Sequence, residues 1–359
     1  MGKLSGAARA RDHQDSHQGA RRSARGQASG RAHPEGGRPA GQRAAAEMME
    51  ATALGAATAR SRTRASRRWR GAAVGHLYLT PAIVLTGLFV YWPLVASTVL
   101  SFYDWNLVSP TWAAVGWQNY RELIASRAFW MSLVNTGKAA AALTVLTVGV
   151  PLLLALAVQR VGPRWRDLYR VVLFSPTVIS MAIACAVWLW IFHPLYGVLN
   201  TTLRLVGLQG PAWLSSSDSA IWAIILVTVW KTFGFNFVLY IAGLLTIPRE
   251  MYEAARVDGA SERQLVWHVT LPLLAPTTLF VFLSTFILSP QNLFIPTQIL
   301  TQGGPNEASN NVGYLVYQLG FEYFRVGYAS AAATLIFLVF LVLTALQFYL
   351  AERRIHYGR

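Results

Sequence analysis

The sequence predicts an all-α, polytopic membrane protein with six transmembrane helices. The chain has 359 residues, of which 54% are hydrophobic and only 13% are charged, and its mean hydropathy is +0.37. Its apolar residues form long runs rather than the stripes of soluble helices. A bilayer core requires roughly 20 apolar residues per helix, and six stretches reach that length. These stretches cover approximately residues 77–102, 132–158, 168–192, 220–245, 271–299 and 327–350.

The segment before the first span, residues 1–75, predicts a disordered basic N-terminal tail. It holds fifteen Lys or Arg residues against five acidic residues, a net charge of +10, and has few aromatic residues. Such a composition buries too little apolar surface to fold alone. We expect the tail to contact membrane lipid and to influence topology, with no nucleic acid as a partner. Its Arg-rich, acid-poor character also resembles a transit peptide, and Met48 and Met49 are alternative translation starts.

Basic residues on the connections between spans predict the orientation, because cytoplasmic flanks are enriched in Lys and Arg. One set of connections carries Arg60, Arg62, Arg64, Arg67, Arg68, Arg70, Arg160, Arg164, Arg166, Arg170, Arg249, Arg256, Arg263, Arg353, Arg354 and Arg359. The opposite set carries only Arg121, Arg127, Arg204 and Arg325. The predicted membrane domain, residues 76–359, therefore has both termini in the cytoplasm and is multi-pass. Residues 246–272, between the fourth and fifth spans, are also predicted to be cytoplasmic.

This fourth connection begins with a short amphipathic helix. Pro248 suits the first turn of a helix, where a missing N–H has no cost, and Glu250 and Glu253 put negative charge near the positive helix start. Gly259 is suited to end the helix, since glycine enters the left-handed conformation without steric cost. The pattern predicts a helix and a tight corner.

A second helical segment follows the corner. Ser261 and Gln264 form a capping-box pattern that opens this segment. Leu265 and Val266 then supply its apolar side before the fifth span begins. The connection as a whole predicts two short helices joined at a glycine.

The spacing of the connection resembles the EAA loop of bacterial ABC importer permeases. The matching residues are Glu253, Ala254, Ala255, Gly259, Val269, Leu271 and Pro272. Val269 stands where that family has isoleucine. The resemblance implies the type I ABC importer permease fold and a bacterial cytoplasmic (inner) membrane location. It also implies that the connection couples to an ATPase through Glu253, Ala254, Ala255, Asp258 and Gly259.

The same resemblance implies an assembly. Its expected members are a second similar permease subunit, two copies of a cytoplasmic ABC ATPase and an extracytoplasmic solute-binding protein. The partner ATPase would use ATP and Mg, and no cofactor is expected in this chain. Gly137-Lys138 lacks the other residues of a phosphate-binding loop, and the sequence has neither a zinc-protease motif nor a serine elbow. We therefore expect a translocation subunit that is not an enzyme and has no metal site.

Further segments resemble the carbohydrate-uptake group of these permeases. Residues 101–106 (SFYDWN) and 115–120 (VGWQNY) resemble an extracellular segment of sugar permeases, and residues 301–305 (TQGGP) resemble their signature after span five. They are similar to the maltose or glycerol-3-phosphate first-permease type, so a sugar-like substrate is implied. The aromatic residues Trp92, Tyr103, Trp105, Trp112 and Trp117 fit membrane-interface anchors, with contact to the binding protein as the alternative.

Polar residues inside spans four and five identify a candidate substrate pathway, because such residues are costly in hydrocarbon unless they face protein or a cavity. The candidates are Thr228, Lys231, Asn236, Ser284, Ser289, Gln291 and Asn292. Hydroxyl and amide groups suit the many donors and acceptors of a sugar, and Trp230 and Phe233 could cover its apolar face.

Two alternatives remain open at the level of the sequence. Lys231 could bind the phosphate of glycerol-3-phosphate or another phosphorylated polyol, or it could pair structurally. An ion-gradient-driven transporter is the second alternative, but it would need acidic residues within the spans. The acids of residues 76–359 fall in loops or near span ends.

Overall fold

The computed structural model describes residues 41, 48–49, 51–52 and 78–354. Contacts divide the chain into two units, Met1–Val84 and Leu85–Arg359, and the second unit carries the sites discussed below. The predicted tail, residues 1–75, lies outside the described residues except at those five positions. Within the described residues the chain is helical apart from loops and one short hairpin, which confirms the all-α prediction.

The elements follow one another with short connections. The helices are α1 (Tyr78–Leu100), α2 (Gln118–Ala125), α3 (Arg127–Gln159), α4 (Pro163–Val178), α5 (Met181–Ile191), α6 (Val198–Leu205), α7 (Ala220–Leu245), α8 (Arg249–Val257), α9 (Glu262–Gln264), α10 (Leu271–Leu273), α11 (Ala275–Pro296), α12 (Val312–Tyr317) and α13 (Val326–Arg354). Wider π-helical turns occur at Gly87–Tyr91, Leu265–Thr270, Thr297–Thr301 and Gln318–Glu322. Strands β1 (Tyr103–Asp104) and β2 (Ala113–Ala114) form an antiparallel hairpin.

Five of the described helices are long and apolar enough to cross a bilayer, namely α1, α3, α7, α11 with its following π turn, and α13. The stretch predicted as one span at residues 168–192 is instead two helices, α4 and α5, bent by 98°. The part of the chain that the structure describes therefore has up to six spans if the bent pair crosses once.

The break between α4 and α5 has a local cause. Pro176 lies in the last turn of α4 and cannot donate a backbone hydrogen bond. Ile179 is extended, and the Ser180 side chain caps a new helix by accepting from the Ile183 backbone N–H at 3.3 Å. A serine cap directly after a weakened last turn starts α5 in a new direction.

The principal core lies where α3, α7 and α11 pack together, and α7 is the most buried of the described spans. Phe237 and Tyr240 of α7 are fully buried there, against Ala155 of α3 and Val281 of α11. Gly243 permits close packing, since a Cβ at that position would lie 2.7 Å from the Thr277 hydroxyl. Small residues at such crossings let helix backbones approach in a membrane, where no hydrophobic force drives helices together.

Three threonine hydroxyls of α3 are satisfied within the helix itself. Thr136, Thr144 and Thr147 of α3 donate to the carbonyls four residues earlier at 2.7, 2.7 and 2.8 Å. Such bonds let a polar residue occupy a buried position without an unpaired donor.

The hairpin end of the bundle is tied together by backbone carbonyls. Asn119 donates its amide to the carbonyls of Ser101 and Tyr103, at 2.9 and 3.0 Å. The Trp105 carbonyl accepts from the backbone N–H of Val326 at 2.9 Å, at the start of α13. The SFYDWN and VGWQNY segments thus join the first span to the last.

An ion pair reinforces this junction. Arg325 donates two hydrogen bonds to Glu122 at 2.8 and 2.9 Å, and its guanidinium lies 4.3 Å above the ring centroid of Tyr328. The hydrogen bonds from Arg325 hold the pKa of Glu122 below its ordinary value. Both side chains remain about half exposed, so the pair makes a modest contribution to stability.

The TQGGP segment, residues 301–305, begins a loop that folds back against α3. The Ser309 hydroxyl contacts the Thr301 hydroxyl at 2.8 Å and the Gly304 carbonyl at 2.6 Å. Asn135 of α3 donates to the Asn310 carbonyl at 3.0 Å. These bonds satisfy several buried polar groups of a loop that has no regular secondary structure.

Candidate coupling loop and substrate pathway

The coupling loop, residues 246–272, begins with helix α8. The prediction placed Pro248 in the first helical turn, whereas the structure places it at the N-cap, with Arg249 as the first helical residue. Proline fits that flanking position because its extended conformation leads the chain into the helix and its missing N–H is not needed. Glu250 lies in the first turn as expected.

The predicted corner is present. Gly259 has a φ of +80°, and its N–H donates to the Arg256 carbonyl at 3.0 Å. The N–H of Ala260 donates to the Ala255 carbonyl at 2.9 Å. These two bonds form a Schellman motif, which needs a residue in the left-handed region and therefore favours glycine.

The second segment begins with the predicted capping box. The Ser261 N–H donates to the Gln264 side chain at 2.8 Å, and the Gln264 N–H donates back to the Ser261 hydroxyl at 3.4 Å. After three residues the α-helix widens into the π turn Leu265–Thr270, which continues into α10. The segment is therefore not one regular helix.

Two contacts brace the corner. Arg256 and Glu262 form an exposed ion pair at 3.2 Å across it. The Tyr252 hydroxyl lies 3.3 Å from the Thr270 hydroxyl, and the Tyr252 ring packs on the core formed by α3, α7 and α11. The coupling loop is thereby attached to the spans by a side chain as well as by its two ends.

The predicted coupling residues lie on the surface of this loop. Glu253, Ala254, Asp258 and Gly259 are exposed, and Ala255 is half-buried. Asp258 is the C-cap of α8. Within the described residues the Glu253 carboxylate forms no hydrogen bond or ion pair, so it is available to a partner.

The candidate pathway residues of α7 all have protein partners. Thr228 is buried and donates to the Ile224 carbonyl of its own helix at 2.8 Å. The Lys231 ammonium donates to the Thr177 carbonyl at 2.7 Å, at the end of α4. Asn236 is 5% exposed and contacts both α3 and α11.

Asn236 donates to the Thr147 carbonyl of α3 at 3.0 Å and to the Thr285 hydroxyl of α11 at 3.2 Å. The sequence pattern drew attention to Asn236 but missed Thr147 and Thr177 as partners. The sequence shows only that Thr147 and Thr177 carry a hydroxyl inside a predicted span. Many other threonines in these spans do the same, so these two could not be singled out.

The candidate residues of α11 fall into two groups. Ser284 and Ser289 donate to carbonyls of their own helix, at 3.1 and 2.8 Å. Gln291 is exposed and Asn292 is half-buried, and neither side chain has a hydrogen-bond partner among the described residues. Gln291 lines an apolar groove between α11, α12 and α13. None of the other six candidates lines this groove.

The described residues contain no group of three or more His, Cys, Asp or Glu side chains that could hold a metal ion. The single cysteine, Cys185, is buried in a cluster with Phe192, Ala223 and Val227. It fills space in the bundle.

Known relatives share most of this chain. The sn-glycerol-3-phosphate transport system permease protein of Agrobacterium fabrum is 31% identical over 283 residues, which cover 79% of this chain and 96% of the relative. A probable starch degradation products transport system permease protein of Thermoanaerobacterium thermosulfurigenes is 30% identical over 282 residues, covering 77% and 94%.

The fold also has a solved counterpart. A chain from the crystal structure of a bacterial ABC transporter involved in import of the acidic polysaccharide alginate superposes with a TM-score of 0.73 and 24% identity, covering 82% of this chain and all of that one. This likeness confirms the type I ABC importer permease fold. Residues 149–357 match the family model described as binding-protein-dependent transport system inner membrane component. With more than half of its length matched, the chain belongs to that family of ABC importer permeases, which are membrane translocation subunits rather than enzymes.

Proposed function

We propose that this chain moves a neutral sugar or sugar-like solute through the bacterial cytoplasmic membrane as the permease subunit of an ATP-driven importer. The name of the starch-product relative supports a carbohydrate substrate. The hydroxyl and amide side chains of α7 and α11 support it further, because such groups match sugar hydroxyls. Cytoplasmic termini and a cytoplasmic coupling loop belong to the same proposal.

The observation that carries the coupling role is the folded state of residues 246–272. A Schellman corner and a capping box fix the loop, Tyr252 ties it to the core, and Glu253 is left exposed without a partner. A rigid, braced element can transmit displacement from a docked subunit to α7 and α11. An arginine on that subunit could form a charge-assisted hydrogen bond with Glu253.

The assembly that follows contains a second similar permease, two cytoplasmic ABC ATPase subunits and an extracytoplasmic solute-binding protein. ATP and Mg would act in the ATPase partner, and this chain supplies no cofactor site to the cycle. The matched small residues Ala254 and Ala255 support close approach of the partner surface.

Glu253→Ala tests the coupling role. Glu250→Ala is a matched control, since it removes an exposed carboxylate from the same helix outside the matched spacing. We expect Glu253→Ala to reduce sugar uptake by reconstituted transporter about tenfold or more while ATP hydrolysis continues, since loss of a charge-assisted bond costs about 1.5–3 kcal/mol. Glu250→Ala should keep uptake within about twofold. Equal uptake in the two variants would remove Glu253 from the mechanism.

A phosphorylated polyol is the second candidate substrate. The glycerol-3-phosphate relative supports it by name, and Lys231 is a cation within a span. Against this candidate, the Lys231 ammonium already donates to a backbone carbonyl.

A further inference from the structure

A cleft with aromatic walls lies at the end of the bundle opposite the coupling loop. It has a volume of about 390 Å³ and sits between the end of α5 and the start of α7. Its lining includes Trp190, His193, Tyr196, Trp213 and Ser215. Its volume falls at the lower end of the range typical of small-molecule sites.

The backbone and the Trp213 side chain around the cleft are held in place by hydrogen bonds to one buried asparagine. Asn200 is 5% exposed, and its amide donates to the carbonyls of Pro194 and Pro211 at 3.4 and 3.3 Å. Its Oδ1 accepts from the indole N–H of Trp213 at 2.7 Å. Gly210 admits this arrangement, since a Cβ there would collide with the Asn200 amide. The walls are therefore fixed before any ligand arrives, which lowers the entropy cost of binding.

The ring surfaces of the cleft are open. Trp190 is 72% exposed and Tyr196 is 60% exposed, with their ring centroids 6.0 Å apart. The His193 ring stacks on Tyr196 with a centroid distance of 3.4 Å. Flat, open aromatic faces beside polar atoms suit a ligand with one apolar face and polar edges.

The polar groups of the cleft are uncharged or weakly basic. His193 Nδ1 accepts from the Leu195 backbone N–H at 3.3 Å, which leaves Nε2–H of the neutral ring as a donor. Ser215 adds a hydroxyl that can donate and accept. No Asp, Glu, Lys or Arg lines the cleft. The lining therefore suits a neutral polyhydroxy ring better than an anion.

Ring contacts connect the cleft to the interior of α7. Trp213 contacts Phe192 at 5.6 Å, Phe192 contacts Trp188 at 5.0 Å, and Trp188 contacts Trp230 at 5.7 Å between centroids. Trp230 directly precedes Lys231, which is one of the candidate pathway residues. A chain of ring contacts therefore runs from the cleft to Trp230, beside Lys231.

We infer that this cleft is an entry subsite for one neutral pyranose ring, which stacks on Trp190 and Tyr196 and hydrogen-bonds to His193 and Ser215. The inference rests on the proposed sugar-import function and adds a binding site near the entrance. A phosphate ester would bind poorly because no Lys or Arg lines the cleft.

The test measures binding of three probes to the full chain in lipid nanodiscs: the methyl α-pyranosides of glucose, galactose and mannose. Saturation-transfer NMR reports which sugar protons touch the protein, and titration gives the affinity. At least one probe should bind saturably, with transfer concentrated on ring C–H protons. Trp190→Leu and Tyr196→Leu should each weaken it about threefold to tenfold, since an aromatic contact contributes about 0.5–1.5 kcal/mol.

Two controls separate a binding role from a membrane-anchoring role. Trp190→Phe keeps a ring and should largely retain affinity, and Trp222→Leu removes an exposed tryptophan from the same end of the bundle outside the cleft. Unchanged affinity in Trp190→Leu and Tyr196→Leu, or an equal loss in Trp222→Leu, would overturn the inference. The inference would also be overturned if glycerol-3-phosphate displaced the bound probe as strongly as a free sugar does. It would likewise be overturned if no probe bound saturably.

The proposed function is tested separately, by ATP-dependent sugar uptake in the assembled transporter. If the wild-type transporter shows no ATP-dependent sugar uptake but the chain still binds a pyranoside, sugar import is refuted and the cleft remains a binding site. Normal uptake with no effect of the cleft variants on binding would refute the cleft alone.

Discussion

Lys231 illustrates how one residue type acquires its role from its neighbours. An ammonium on an apolar helix is costly unless it finds acceptors. Here it donates to the Thr177 carbonyl at 2.7 Å, while the Thr177 hydroxyl donates to the Lys231 carbonyl at 3.3 Å. Gly234 allows this approach, since a Cβ there would lie 2.5 Å from the Leu173 carbonyl. Lys231 therefore binds α7 to the last turn of α4, where the chain turns sharply.

Lys231→Met tests whether this lysine is structural or binds phosphate. We expect a lower Tm, because a hydrogen bond from a charged group contributes about 1.5–3 kcal/mol, and no selective effect on a phosphorylated substrate. Uptake of glycerol-3-phosphate and of a neutral disaccharide should be compared in the same vesicles. Lys138→Met, in α3, controls for loss of a span lysine. Selective loss of phosphate-ester uptake in Lys231→Met alone would instead assign Lys231 to the substrate.

Residue types alone could predict that polar groups gather in α7 and α11, but not where they point. Asn236 turns toward Thr147 and Thr285, whereas Gln291 turns outward to a groove. The difference depends on helix rotation and on neighbouring helices, which a single sequence does not encode locally. The pathway assignment for these residues therefore stays a prediction.

At the scale of elements, the coupling loop could be predicted because its signals are local. The left-handed corner and the capping box each depend on residues within five positions of one another. The break between α4 and α5 was not predicted, because the hydropathy of the stretch is continuous and proline alone does not end a membrane helix. The Ser180 cap starts α5 after the break, and α4 and α5 both pack on α7.

Gly259→Leu tests the corner as an element. A side chain in the left-handed region costs about 1–2 kcal/mol, so the loop should open more readily and amide exchange across residues 246–272 should increase. Uptake should fall while ATP hydrolysis continues. Gly137→Leu is the control, since Gly137 lies in α3 with open space around its Cβ position. Unchanged exchange and uptake in Gly259→Leu would show that the corner geometry is dispensable.

For the whole molecule, the bent pair decides the topology. If α4 and α5 cross the bilayer together, the chain has six spans and its termini share one side. If the pair returns to its starting side, the chain has five spans and every later connection changes sides. The arginine-rich connections favour six spans, because only that count places residues 160–170 and 246–272 on the same side.

Cysteine labelling distinguishes these counts, and the single native Cys185 is buried and gives little background. Val108→Cys, Leu208→Cys and Val257→Cys place thiols at residues that are 79%, 58% and 87% exposed. With six spans, an impermeant maleimide should label positions 108 and 208 in spheroplasts and position 257 only after permeabilisation. With five spans, labelling of 208 and 257 would be exchanged while 108 stayed the same. That exchange would place Glu253 outside the cell and contradict its coupling role, so one pattern of three thiols tests both the fold and the mechanism.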